Sequence, residues 1–149
     1  LVSFGQTYKE IMSINSLDAY KKVVIENGFE VADEDDEWVS YGYGIVRDSI
    51  NKMKSAKIFS SYNPKDHRWS FWISRTTILS SFLGTEPDTS ENPYDLIVEE
   101  IKEKCKYYKI LNYKGDDYVS YSCSESSYKG KIGFMVDDGT GFIRHFPEE

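Results

Sequence analysis

The chain carries few residues of the kinds that do chemistry, and their spacing limits what each can do. The densest group is Asp33-Glu34-Asp35-Asp36-Glu37. Asp33, Asp35 and Glu37 alternate as calcium-loop ligands would. Such a loop needs glycine at its sixth place, where Trp38 stands, and glutamate at its twelfth, where Gly44 stands. The pattern fails, and a solvated hairpin tip is the simpler reading. Asp137-Asp138-Gly139-Thr140-Gly141 reads as another turn. His67 and His145 are the only histidines. Asp66 precedes His67, but neighbours on a strand point to opposite faces, so the two make a poor dyad. No His-x-x-x-His or Cys/His cluster offers a zinc site. Cys105 and Cys123 form no Cys-x-x-Cys unit. A reactive thiolate needs exposure plus a cation or a helix N-terminus, whereas Cys105 falls near a helix C-terminus. The pair allows one disulfide, and both cysteines fall on inner faces of the same repeat, but Cys packs well as a small hydrophobe, so buried free thiols are the favoured reading. No serine sits in a Gly-x-Ser-x-Gly elbow, and Gly42 and Gly44 alternate along a strand instead of forming a phosphate loop. The sequence therefore predicts no catalytic residue, no metal and no cofactor, and the chain does not read as an enzyme.

Aromatic side chains are the remaining signal. The chain has 149 residues, of which 15% are Phe, Trp or Tyr and 40% are hydrophobic. That is too aromatic for a disordered chain and leans toward sheet. Trp38 and Trp72 fall on the outer side of strands whose inner sides are already apolar, and Arg68 and Tyr118 join them there. Trp, Tyr and Arg are the commonest binding anchors, so Trp38, Arg68, Trp72 and Tyr118 are the candidate partner-binding residues. A pocket between helix and sheet, lined by Tyr41, Tyr43 and Phe71, is the small-ligand alternative. The competing reading is that neighbouring segments cover the outer rings as a second small core.

A net charge of −7 disfavours a nucleic-acid partner, because an acidic surface repels phosphate backbones. No cluster of Lys and Arg offsets it. No apolar run is long enough to span a bilayer. Leu1-Val2-Ser3-Phe4-Gly5-Gln6 resembles the end of a secretory signal peptide, which points to a secreted or periplasmic protein. An arbitrary start and a cytoplasmic location form the alternative.

These residues must be positioned by helices and strands. Asn15 or Ser16 caps a first helix that Gly28 ends, with Leu17, Tyr20, Val23 and Val24 on its apolar stripe. Residues 7–14 add a short turn of helix before it. Strands follow at 29–32, 38–46, 56–62 and 67–75, with a longer connection over 47–54. Val39, Tyr41, Tyr43 and Ile45 face the core, as do Trp69, Phe71 and Ile73. Residues 76–91 read as a linker. Asn92 caps a second helix with Pro93 in its first turn, and Glu100 pairs with Lys104 on its outer face. Strands follow at 107–112, 118–123, 131–136 and 142–146.

Asp36-Glu37-Trp38-Val39-Ser40-Tyr41 reappears as Asp116-Asp117-Tyr118-Val119-Ser120-Tyr121. Such spacing means two copies of one folding unit. The expectation is an α+β protein built from a pseudo-duplicated αββββ unit. Residues 7–75 and 92–149 form similar halves of one domain, joined as one antiparallel sheet with both helices on one face. This order of elements resembles the β-lactamase-inhibitor-protein-like architecture over nearly the whole chain. It is also similar to the TATA-box-binding-protein-like arrangement of helices on a sheet. The first resemblance implies a secreted protein that grips another protein with its open sheet face. The second implies nucleic acid on a concave sheet, against which the charge argues. The stretch from Tyr8-Lys9-Glu10-Ile11 to Asn27-Gly28-Phe29 also looks like small exported proteins of Bacteroidetes. The resulting expectation is a protein- or peptide-binding or inhibitor-like module. A homodimer that hides its aromatic face and an intracellular immunity-type protein stand beside it.

Overall fold

A computed structural model of the chain describes residues 7–75 and 92–148. The sequence-predicted linker and the signal-like opening residues lie outside the described residues. The fold is α+β. Helices α1 (Tyr8–Met12) and α2 (Leu17–Glu26) precede strands β1 (Glu30–Glu34), β2 (Val39–Tyr43), β3 (Val46–Arg47), β4 (Met53–Ser55), β5 (Ile58–Tyr62) and β6 (Trp69–Ser74). Helix α3 (Pro93–Lys104) then leads into β7 (Lys106–Tyr113), β8 (Asp116–Ser122), β9 (Lys131–Asp137) and β10 (Thr140–Phe146). Eight strands form one antiparallel sheet in the order β1-β2-β5-β6-β10-β9-β8-β7. Two four-stranded runs therefore meet at β6 and β10, where Phe142 pairs with Trp72 and Arg144 with Ser70.

The helix ends follow the capping chemistry of the sequence. Ser16 Oγ accepts the Ala19 amide, and Asn92 Oδ1 accepts the Tyr94 amide ahead of Pro93. Thr7 and Glu10 close a capping box on α1. Gly28 turns the chain out of α2 with φ +82°, a conformation a side chain would resist. Period-2 alternation sends Trp69, Phe71 and Ile73 inward, and each is buried. The core gathers these with Tyr20, Val23 and Val24 of α2, Ile97 and Ile101 of α3, and Ile132 and Ile143 of the sheet.

Three sequence expectations change. Residues 46–55 are not a plain connection. Val46 pairs with Ser55 and Arg47 with Met53 in a separate two-stranded ribbon. Asp48 Oδ1 holds its turn by accepting the Ile50 and Lys52 amides, a local side-chain bond that hydrophobic periodicity does not reveal. The second strand accordingly stops at Tyr43, and Ile45 lies beyond it.

The cysteines are not free thiols. Cys105 and Cys123 are disulfide-bonded, with Cα atoms 4.5 Å apart. Cys105 is the sole residue between α3 and β7, and Lys106 pairs with Ser122 across β7 and β8. The two cysteines therefore occupy the next rung of that hairpin, where side chains meet.

Tyr118 is not exposed. It keeps 2% of its surface, because the Phe146 ring lies 5.4 Å from its own and Arg144 Nε donates to its hydroxyl at 3.3 Å.

Candidate functional site

The sheet face that alternates with the core carries Gly42, Phe59, Trp72, Phe142 and Met135 along one row of the register. Trp72 is 40% exposed and packs between Phe59 at 5.4 Å and Phe142 at 5.3 Å. Arg68 lies four residues back along the strand, about 13 Å away. Trp38 is half-buried at the β1–β2 hairpin, where its amide and that of Glu37 donate to Asp35 Oδ1. That turn is what the acidic run Asp33–Glu37 builds. The four predicted binding residues thus do not form one patch. Trp38 and Arg68 sit toward one end of the strands, Trp72 at the other, and Tyr118 beneath its neighbours.

The alternative pocket residues sit differently. Phe71 is fully buried, Tyr41 nearly so and Tyr43 half-buried. The Tyr20 ring lies 6.0 Å from Tyr41 and 6.3 Å from Phe71. These three residues line neither of the two grooves described below.

Toward the β7 edge, side chains from separate strands meet over this same face. β7 and β10 are three strand spacings apart, about 14 Å, a gap that two long side chains reach across. Here the Arg144 guanidinium of β10 lies 4.0 Å from the Tyr113 ring centroid of β7. Small residues on the intervening strands allow this approach. Ser120 and Gly133 occupy the Arg144 rung, and a Cβ on Gly133 would come within 2.7 Å of the Phe146 ring. A bulge in β7 sets both Tyr108 and Lys109 opposite Ser120, whose hydroxyl bonds to the Lys109 carbonyl.

The result is an open groove of about 550 Å³ with a tyrosine near each end. Tyr108 holds Lys131 Nζ at 4.8 Å and Lys109 Nζ at 5.1 Å from its centroid. Tyr113 holds the Arg144 guanidinium, Lys114 Nζ at 5.4 Å and the Arg68 guanidinium at 5.9 Å. Such contacts attract cations to a ring face without neutralising them. Three cations and one carboxylate, Glu148, line the groove. Arg68 Nε also lies 3.2 Å from Asp66 Oδ2, without hydrogen-bond geometry. Arg144 is 7% exposed, and among the described residues no carboxylate pairs with it.

His145 lies at the groove wall. Its Nδ1 is 2.9 Å from the His67 carbonyl oxygen and its Nε2 is 2.6 Å from that of Lys129, while the ring stacks on Trp69. Burial lowers its pKa below the ordinary value, and the two carbonyls pull in the opposite direction.

A second groove of about 430 Å³ lies beside α1. Tyr8 donates there to Glu125 Oε1 at 3.3 Å and approaches Cys105 Sγ at 3.5 Å. Burial, then Glu125, push the Tyr8 phenol up to about 12.

Sequence reasoning found Arg68 but missed Tyr108, Lys109, Tyr113, Lys131 and Arg144. These residues come from three strands, so no local run of positive charge marks them. The available signal was the Tyr-Tyr-Lys of 107–109 on a strand that ends in Tyr-Lys-Gly. Comparison with protein-family models, with curated proteins and with solved structures finds no match to this chain.

Proposed function

We propose that the chain is a small exported binding module that grips a protein or peptide with the sheet face turned away from its core. One observation carries this reading. That face concentrates exposed aromatic and cationic side chains, from Trp72 to the Tyr108 groove, which no core packing requires. Exposed Trp, Tyr and Arg are the residues that most often anchor a partner. The disulfide supports export, because such bonds persist in oxidising compartments. Two related halves also fit the topology. Helix α2 precedes β1-β2-β5-β6 and α3 precedes β7-β8-β9-β10. Tyr20 lies over Ser60 and Tyr94 over Gly141, positions on the same side of the register. Both helices then cover one face and leave the other open.

The test is peptide display. A random library panned against the wild-type protein should yield enriched sequences, and Trp72→Ser combined with Tyr108→Ser should abolish the enrichment while the thermal melt stays unchanged. Both side chains are exposed by 40% or more, so folding should survive. Failure to enrich any sequence, or equal enrichment by the variant, would remove the binding-face reading.

A further inference from the structure

We infer that the cation–tyrosine groove along β7 is a subsite for an extended, acidic peptide segment; this rests on the binding-face reading and narrows it to one ligand chemistry. Five cations gather on the rings of Tyr108 and Tyr113 in a protein whose net charge is −7. Like charges brought together repel, and a cluster of this kind is stabilised by an anion placed among them. Arg144 sharpens the point. Its guanidinium is almost wholly buried, one nitrogen bonds Tyr118, and no described carboxylate compensates it. A buried cation without a counter-charge is costly, and its field is screened less than that of a surface lysine. That field adds to those of Arg68, Lys109 and Lys131 along the groove.

The form of the groove selects among anions. It is elongated, with a cationic tyrosine near each end, so it suits a ligand carrying separated negative groups. Among the described residues β7 pairs only with β8, and its other edge can hydrogen-bond an added extended segment. In such a segment alternate side chains point to one face, where carboxylates would meet the cations. A guanidinium matches a carboxylate with two parallel hydrogen bonds. A long polyanion such as nucleic acid would reach past the groove on a protein whose net charge is −7, which repels it. Glu148 at the groove wall favours a ligand of few charges for the same reason.

The experiment uses the full chain and fluorescence anisotropy with three labelled probes: (Gly-Glu)3, its neutral counterpart (Gly-Gln)3, and a single-stranded oligothymidine. The wild type should bind (Gly-Glu)3 and not (Gly-Gln)3, with affinity falling as salt rises. Lys109→Glu with Lys131→Glu should weaken binding by at least about tenfold, since two favourable charge pairs become repulsive. Arg68→Gln should weaken it by a smaller factor and serves as an independent variant at the other tyrosine. Equal binding of the acidic and neutral peptides would overturn the assignment, as would oligothymidine binding that the lysine reversals abolish. If peptides enriched in the display experiment carry no acidic residues and bind the lysine-reversed protein unchanged, the groove assignment falls and the wider binding face stands. If (Gly-Glu)3 binding survives Trp72→Ser but not the lysine reversals, the groove stands and the wider face is what fails.

Discussion

The edges of the sheet, β1 and β7, are built differently. β1 has five residues and a bulge against β2, and Arg47 Nη2 donates to the Val31 carbonyl at 3.2 Å. A short, bulged edge strand capped by an arginine is a poor template for another strand. β7 has eight residues, and Tyr107, Tyr108 and Ile110 along it are about half exposed. The entries to the two strands differ too. α2 reaches β1 through a loop that turns at Gly28, whereas α3 reaches β7 through Cys105, which is cross-linked to Cys123. One edge is closed by its own side chains. The other, also bulged, is longer, has no strand partner but β8 among the described residues, and is held by a covalent bond at its start. That contrast puts the longer, less protected edge at β7 and makes the disulfide its mechanical support.

The largest expected effect comes from removing that support. The bridge closes a loop of sequence separation 18, for which chain-entropy arguments give about 3 kcal/mol. Cys105→Ser with Cys123→Ser should lower the melting temperature by roughly 10 °C. Amide exchange in β7 and β8 should accelerate more than in β1 and β2. Uniform acceleration across the sheet would mean that the two edges are not independently secured, and the contrast would fail.

The seats of α2 and α3 differ in a subtler way, and the expected effect is smaller. Tyr20 of α2 is fully buried, and its hydroxyl donates to Ser60 Oγ at 2.9 Å, which in turn donates to the Ser70 carbonyl at 2.9 Å. Tyr94 of α3 lies against Gly141 and under the Arg75 guanidinium, but its hydroxyl makes no hydrogen bond among the described residues. Tyr20→Phe should therefore cost about 1–2 kcal/mol in urea unfolding, because a buried acceptor chain loses its donor. Tyr94→Phe keeps the ring and its cation contact, and should cost less than about 0.5 kcal/mol. Equal losses would show that the two seats are equivalent.

Local signals made much of the architecture readable. Ser16, Asn92 and Pro93 marked helix starts, Gly28 marked a stop, and alternation assigned Trp69, Phe71 and Ile73 to the core. These features depend on near neighbours in the chain. The groove does not. Arg68, Tyr113 and Arg144 lie on or beside separate strands and meet beside the small Ser120 and Gly133, which a two-face alternation rule does not register. The same rule made Tyr118 look exposed, since it counts strand faces and not the Phe146 ring that folds over one of them. The disulfide was the less favoured of two readings, because strand and helix faces bring its cysteines near one another but only the hairpin register makes them meet.

The smallest effect probes the junction of β6 and β10. His145 of β10 stacks on Trp69 of β6 and spans the carbonyls of His67 and Lys129. Burial depresses its pKa in the folded protein, so the unfolded chain takes up a proton first as pH falls. Stability should be level above the unfolded value of about 6.5. It should then decline as pH drops toward the folded value, by at most about 1.4 kcal/mol for each unit of depression. Urea midpoints between roughly pH 5 and 8, compared with those of His145→Gln, isolate this contribution from the carboxylates, which titrate lower. A wild-type stability that rises on acidification relative to the variant would reverse the sign. The two carbonyls would then outweigh burial and hold an imidazolium between β6 and β10, adding a second buried positive charge to a junction that already holds Arg144.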